Sequence, residues 1–319
     1  MKYYGYREFL TADEKRLYDE LCSTVLARRG ECTVQKVPTS VLQNALEIVK
    51  MDLPEVYEFS TFSSQAGLFS KNITIRPVYR PCDGGRERAQ IEAERRKILS
   101  MITERSDWER ALKLHDILCR TVVYRDLGVD SHCIVGPLLH HASVCEGIAH
   151  AYKYLCDELN IPCYIVSGTA RSQVMGAGPH SWNKVRLGGQ WFHVDVTFDL
   201  SMTTPKLVRH DYFAVPDEVI SRNHVEKRRT HPCTSRIGDY YTHNALVMRD
   251  LGALYEEIKR RLRMGGNRAF EFRFPYEMKG ALSQKIIETL KRAYSDARRN
   301  GSFSVGSDGV SGAYFIDLR

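Results

Sequence analysis

Apolar residues recur at three- and four-residue steps through Val144, Ile148, Ala151, Tyr152, Leu155 and Leu159, which predicts one amphipathic helix beginning near Cys145. Ser143 reads as its N-cap, and Glu146 three residues on completes a capping-box pattern. The period then changes. Ile161–Gly168 is a buried-type strand, and Met175–Pro179 reads as a flexible, glycine-containing loop. Beyond it, His180–Leu187 and Gln190–Phe198 alternate as two strands, joined by Gly188-Gly189, a strong two-residue hairpin signal.

The flanks carry weaker patterns. A helix opens near Thr11 with Leu17, Leu21, Val25 and Leu26 on its inner stripe, and a second is broken at Asp52–Glu55. Val56–Phe59 and Ile73–Tyr79 read as strands, and Pro81–Gly85 as a turn-rich junction. Two helices fill Glu87–Val122, the second started by Asp107, and a loop runs from Tyr124 to Ala142. Asp211–Val215 reads as a short last strand and Pro216 as the start of a small helix. The polar stretch from Asn223 to Thr242 reads as loop. The tail holds helices at 251–262 and 282–297, a strand at 269–274 and strands near Phe303 and Tyr314–Ile316. The expectation is an α+β protein: an amino-terminal α/β segment at 1–85, a core at 86–225 and a small carboxy-terminal α/β appendage at 226–319.

Composition changes this picture little. The 319 residues are 43% hydrophobic and 27% charged, ordinary for a globular chain with an ample core. The net charge of +7 is mild, and its runs (Lys227–Arg229, Arg260–Arg263, Arg298-Arg299) fall mostly on helix-like segments, so they read as solvated faces. With no recognisable motif beside them, nucleic acid is not the expected partner. Nine cysteines cannot all pair, and their spacing shows no disulfide framework. No apolar run approaches ~18 residues, and Met1–Glu8 lacks the apolar core of a signal peptide, so the expectation is a cytoplasmic protein with reduced thiols and no membrane partner. His224, His231, Cys233 and His243 match no standard zinc spacing and read as ordinary loop residues, so neither metal nor cofactor is expected.

The candidate chemistry lies between the helix and the hairpin. Cys145 falls in the first helical turn, where free N–H groups and the positive dipole end favour a thiolate over a thiol. The Gly188-Gly189 register sets Leu187 opposite Gln190, Trp182 opposite Asp195 and His180 opposite Thr197. One face then presents His180, Trp182, Lys184, Trp191, His193, Asp195 and Thr197; the other presents Val185, Leu187, Phe192, Val194 and Val196. His180 and Asp195 become diagonal neighbours, within reach of an imidazole and a carboxylate. Cross-strand pairs of this kind are often simple polar contacts. With Cys145 added, they form a nucleophile, base and orienter set. His193 is a rival base on the same face, but mid-strand and opposite Lys184. His180, at the strand start, is better placed to meet a helix N-terminus.

Three blocks, Val144-Cys145-Glu146-Gly147, His180-Ser181-Trp182-Asn183-Lys184-Val185 and Trp191–Asp199, resemble the transglutaminase-like superfamily in content and order. The resemblance covers roughly Arg105–His224 and takes in Tyr212-Phe213 and Asp217-Glu218. It implies a papain/transglutaminase-like core, with a nucleophile helix packed on an antiparallel sheet and a catalytic triad of Cys145, His180 and Asp195. The chain looks most like the bacterial members with flanking α/β segments. It shows no calcium-loop pattern, so calcium dependence is not carried over. The family's second oxyanion donor usually comes from a polar or aromatic side chain upstream, and His132 is the candidate here, with Trp182 in a supporting place. The implied activity is thiol-dependent acyl transfer on a peptide or protein amide, with peptide or isopeptide hydrolysis favoured. Transglutamination and a non-catalytic peptide-binding module are the alternatives.

Overall fold

The computed structural model describes residues 5–172, 176–264, 269–275 and 282–319. The amino-terminal part contains α1 (Ala12–Leu26), β1 (Cys32–Gln35), α2 (Thr39–Asp52), β2 (Phe59–Gln65) and β3 (Asn72–Tyr79), with the strands in the antiparallel order β1-β3-β2. Thr11 closes a capping box with Glu14 at the head of α1, as a Thr-x-x-Glu start favours. The expected strand at Val56–Phe59 is displaced: those residues turn, and the strand begins at Phe59.

The middle of the chain contains α3 (Gly84–Ser100), α4 (Asp107–Thr121), β4 (Val123–Tyr124), β5 (Ala142–Ser143), α5 (Cys145–Glu158), β6 (Cys163–Ser172), β7 (Gly176–Leu187), β8 (Gln190–Val194), α6 (Val196–Met202), β9 (Phe213–Val215), α7 (Asp217–Ile220) and β10 (His224–Glu226). Its main sheet is antiparallel throughout, in the order β10-β6-β7-β8-β9. The hairpin turn sits at Gly188-Gly189, whose φ of 56° and 83° suit glycine, and Leu187 faces Gln190 as the sequence predicts. Val185, Leu187, Phe192 and Val194 pack with Ile148, Ala151, Tyr152 and Leu155 of α5 in one core. Full burial of each large side chain there contributes on the order of 2 kcal/mol. The fold is thus α+β, with α5 packed on an antiparallel sheet.

Two expected features differ. Gly176–Pro179, read as loop, belongs to β7 and pairs with Thr169–Ser172, while Met175 lies outside the described residues. The strand expected at Gln190–Phe198 stops at Val194, and Val196–Met202 is helical. Asp195 causes the change, because its side chain accepts from the N–H of Phe198 at 3.0 Å and caps α6. Thr197 therefore does not pair with His180.

The carboxy-terminal part contains α8 (Tyr240–His243), α9 (Leu251–Arg263), β11 (Phe270–Arg273), α10 (Leu282–Asp296), β12 (Phe303–Gly306) and β13 (Ala313–Leu318), with strand order β11-β13-β12 and an apolar cluster of its own. A buried line of alternating charge joins it to the middle part. His115 places its two ring nitrogens 3.0 Å from Asp199 and 3.0 Å from Asp116. His210 spans from Asp116 at 2.9 Å to Glu271 on β11 at 2.5 Å. Both imidazoles lie between carboxylates, so both ring N–H groups donate. Burial lowers the His210 pKa, but the Glu271 charge and the hydrogen bonds to Asp116 and Glu271 outweigh it and raise it from 6.5 to about 9.

A raised folded-state pKa gives stability that is complete below ~6.5 and is lost as pH climbs through about 9. The rise corresponds to roughly 3 kcal/mol. Urea midpoints should therefore fall between pH 7 and 10 in the wild type and fall less in His210→Gln. Parallel curves for the two proteins would show that His210 does not hold this junction. Among the described residues, no helix is long and apolar enough to cross a membrane.

Candidate active site

Cys145 is the first residue of α5, after Val144 in extended conformation. Ser143 is not the N-cap: it lies in β5, and its hydroxyl donates to the Ser131 carbonyl at 2.7 Å. Among the described residues no side chain caps the helix, which leaves the positive end of α5 beside the half-buried thiol. Glu146 does not close a capping box either, since its carboxylate bridges Lys50 Nζ at 2.8 Å and His132 Nδ1 at 2.8 Å. Gly147 is required sterically. A Cβ there would lie 2.4 Å from the Ser131 carbonyl oxygen and 2.8 Å from that of Cys133, so the preceding loop can close over the first turn only at glycine.

His180 on β7 places Nε2 2.7 Å from Asp195 Oδ2. Asp195 follows β8 directly, and its Oδ1 is held by the Phe198 N–H, so the carboxylate is oriented from both sides. Its Oδ2 accepts a second imidazole, His224 Nε2 at 2.9 Å, from β10. Trp182 stacks beside His180, with centroids 6.0 Å apart and planes at 17°, and donates its indole N–H to His193 Nδ1 at 3.0 Å. His193 Nε2 in turn meets Asp217 Oδ1 at 2.8 Å, so both its nitrogens are engaged away from Asp195.

The electrostatics separate the two histidines of the hairpin. Burial lowers the His180 pKa, but the Asp195 charge and hydrogen bond, with a further contribution from the adjacent Cys145, raise it to about 10. Burial of Asp195 is likewise outweighed, by His180 and then His224, and its pKa falls well below the usual carboxylate range. In His193 burial prevails over Asp217, helped by the Lys184 charge, and the pKa drops to about 4. His193 is a neutral structural group, whereas His180 beside Asp195 favours the imidazolium.

Cys145, His180, Tyr124, His132 and Glu146 line one cleft of about 580 Å³, closed on another side by Glu47 and Lys50 of α2. The side chain set against Cys145 from upstream is Tyr124: burial and then the Cys145 charge raise its phenol pKa. His132 lines the same cleft with its Nδ1 committed to Glu146. Sequence reasoning missed both Tyr124 and His224. Tyr124 was visible only as the start of a loop. His224, read as an ordinary loop residue, sits in a three-residue strand paired with Ala170, a register that no local pattern announces. Its supposed companions are dispersed: His231 stacks on Trp191 and His243 on Trp108.

Among the described residues, three clusters have the donor types to hold a metal: His115/Asp116/His210, His180/Asp195/His224 and His193/Asp217/Cys233. In each, the carboxylate already accepts an imidazole N–H, so a metal would have to displace those hydrogen bonds.

Residues 96–196 match the Transglutaminase-like superfamily. No curated protein matches the sequence. Among solved structures, the chain is similar to one described as a TGase, with 12% identity over 56% of this chain and 53% of that one, and a TM-score of 0.32. It is also similar to a candidate cysteine protease from Cytophaga hutchinsonii, with 12% identity over 61% of this chain and 68% of that one, and a TM-score of 0.32. A third is the periplasmic domain of TgpA from Pseudomonas aeruginosa, with 14% identity over 40% of this chain and 53% of that one, and a TM-score of 0.26. The similarity thus spans about half the length of the first and third of these chains.

Proposed function

We propose that this chain, which carries a transglutaminase-like domain at residues 96–196, is a thiol enzyme that transfers the acyl group of a peptide or isopeptide amide, most simply to water. The observation that carries this reading is a cleft lined by Cys145 and His180, with Asp195 buried behind the imidazole. The uncapped first turn of α5 brings Cys145, β7 brings His180, and the cap of α6 brings Asp195, 2.7 Å from the imidazole.

In this mechanism the Cys145 sulfur attacks the amide carbonyl carbon, with its proton held by His180. The negative charge that develops on the carbonyl oxygen is met by the free N–H groups of the α5 first turn, with Tyr124 or His132 as the side-chain donor. His180 then protonates the leaving amine, the C–N bond breaks and a thioester remains. Water then attacks the thioester carbon as His180 takes its proton; the C–S bond breaks, the Cys145 thiolate returns beside the His180 imidazolium, and the product acid leaves. Asp195 holds the imidazole and offsets its positive charge without itself taking the proton. Cys145 is part-exposed, so water reaches the thioester unless an amine is bound first. That supports hydrolysis as the leading reaction and leaves transglutamination as the second.

Labelling with limiting iodoacetamide tests the reading. Cys145 should react ahead of the other eight thiols. Burial pushes Cys22 up to about 12 and also raises Cys119, Cys133, Cys156 and Cys233, so their thiolates are scarce. Cys82 is exposed and serves as the internal standard of accessibility. Labelling of Cys145 no faster than Cys82 would count against an activated nucleophile.

A further inference from the structure

Behind Asp195, away from Cys145, hydrogen bonds continue outward in an unbroken line. His224 Nδ1 lies 2.7 Å from Asn223 Oδ1, Asn223 Nδ2 donates to the Tyr212 hydroxyl at 2.8 Å, and that hydroxyl meets Asp308 Oδ2. Asp308 belongs to the loop between β12 and β13. With Tyr212 and Asn223 it lines a second cavity, of about 410 Å³.

The direction of this line follows from its outer end. Asp308 Oδ1 accepts from the Val310 N–H at 2.9 Å and the Ser311 N–H at 2.9 Å, and Oδ2 also faces that Ser311 N–H at 3.1 Å, so both oxygens act as acceptors. The single hydroxyl hydrogen of Tyr212 must therefore point at Asp308 Oδ2. Burial, then the Asp308 charge, raises the Tyr212 pKa far above the ordinary value, which keeps that hydrogen in place. With its hydrogen spent, the Tyr212 oxygen can only accept from Asn223, which fixes Nδ2 outward and Oδ1 toward His224. Both nitrogens of His224 then face acceptors, Asn223 Oδ1 and Asp195 Oδ2, and both donate.

We propose that Asp308 is a positioning residue for the thiol chemistry: through Tyr212 and Asn223 it holds His224 as a double hydrogen-bond donor, and so sets the charge that Asp195 offers to His180. This rests on the triad reading given above. The titratable groups facing His224 are Asp195 and His180, with His193 nearby and Tyr212 against the ring. A hydrogen added or withdrawn at Nδ1 is therefore felt at the His180–Cys145 pair, with ring centroids of His180 and His224 only 5.5 Å apart.

Asp308→Asn should reverse the line without removing the turn. The introduced amide oxygen can still accept from Val310 and Ser311, while its NH₂ donates to Tyr212. Tyr212 then donates to Asn223, whose flipped amide donates to His224 Nδ1. His224 loses one hydrogen and keeps its bond to Asp195. His180 is already the imidazolium, so the loss is felt at the sulfur: with less positive charge behind Asp195, the Cys145 thiolate is less stabilised.

The measurement is the rate of Cys145 alkylation by iodoacetamide against pH, in the 319-residue chain, with thermal melts alongside. The midpoint in Asp308→Asn should move to higher pH by about half a unit to one unit, the size expected of one charge at such a distance in a partly polar site. Tyr212→Phe, which cuts the line without supplying a donor, should move the midpoint in the same direction. An Asp308→Asn midpoint equal to that of the wild type, in a protein that melts normally, overturns the proposal. If Asp308→Asn does not fold, Tyr212→Phe and His224→Gln decide it by the same criterion. Wild-type Cys145 reacting no faster than Cys82 would instead overturn the triad reading, so the two failures are told apart.

Discussion

Cys145→Ala should reduce amide turnover to the uncatalysed background, a loss of a thousandfold or more, while leaving the melting temperature within about a degree or two of the wild type. The activity loss follows because no other group in the cleft can form the thioester. The small stability effect follows from position. Cys145 is only half-buried and begins its helix, so truncation leaves no enclosed cavity of the kind that makes core deletions costly. Peptide hydrolysis and amine incorporation into a glutamine-containing protein, both measured beside thermal melts, check this. Equal trace activity in both proteins would favour a binding module. So would a large fall in melting temperature of the variant, because it would place the sulfur in packed structure.

Asp195→Ala should behave differently, losing both activity and stability. The hydrophobic pattern alone places this carboxylate on a partly open strand face, where an ion pair contributes little. The structure places it fully buried, accepting from His180, His224 and the Phe198 N–H. Its removal strands two buried imidazoles and the first turn of α6. A loss of about 3–5 kcal/mol is expected from breaking such a buried pair, with activity down a hundredfold or more through loss of imidazole orientation. Asp195→Asn keeps the cap and the shape, so it should recover much of the stability and little of the activity. Chemical denaturation of the two variants checks this, and a fully stable Asp195→Ala would contradict the buried geometry.

The difference between these two predictions shows what the chain discloses locally. The α5 stripe and the Gly188-Gly189 register are legible because they depend on residues a few positions apart, and periodicity is a local property. That was enough to bring Cys145, His180 and Asp195 to one region. The end of β8 was not legible. Val194, Val196 and Phe198 continue an apolar alternation, and β-branched residues favour a strand. The capping by Asp195 competes with that pattern and prevails, and an Asp followed three residues later by a buried N–H is the only trace it leaves. His224 and Asp308 were beyond reach for another reason. Their partners lie at Asp195 and Tyr212, and a two- or three-residue contact across such separations has no period to detect.

The buried line of charge through His115, Asp116 and His210 also bears on where this chain can be cut. Sequence patterning suggests an appendage that starts at 226, and a truncated protein ending there would be a natural choice for expression. Such a fragment would leave His210 facing Asp116 alone, with Glu271 gone. Arg209 would keep Asp211 but lose the Glu271 carboxylate 4.0 Å away, and Asp211 would lose its contacts with the Tyr241 and Ser311 hydroxyls. Each of these groups would be left in a newly opened, water-filled seam. Fragments meant to isolate the cleft should therefore run to Arg319, and a shorter one that precipitates would say nothing about the chemistry at Cys145.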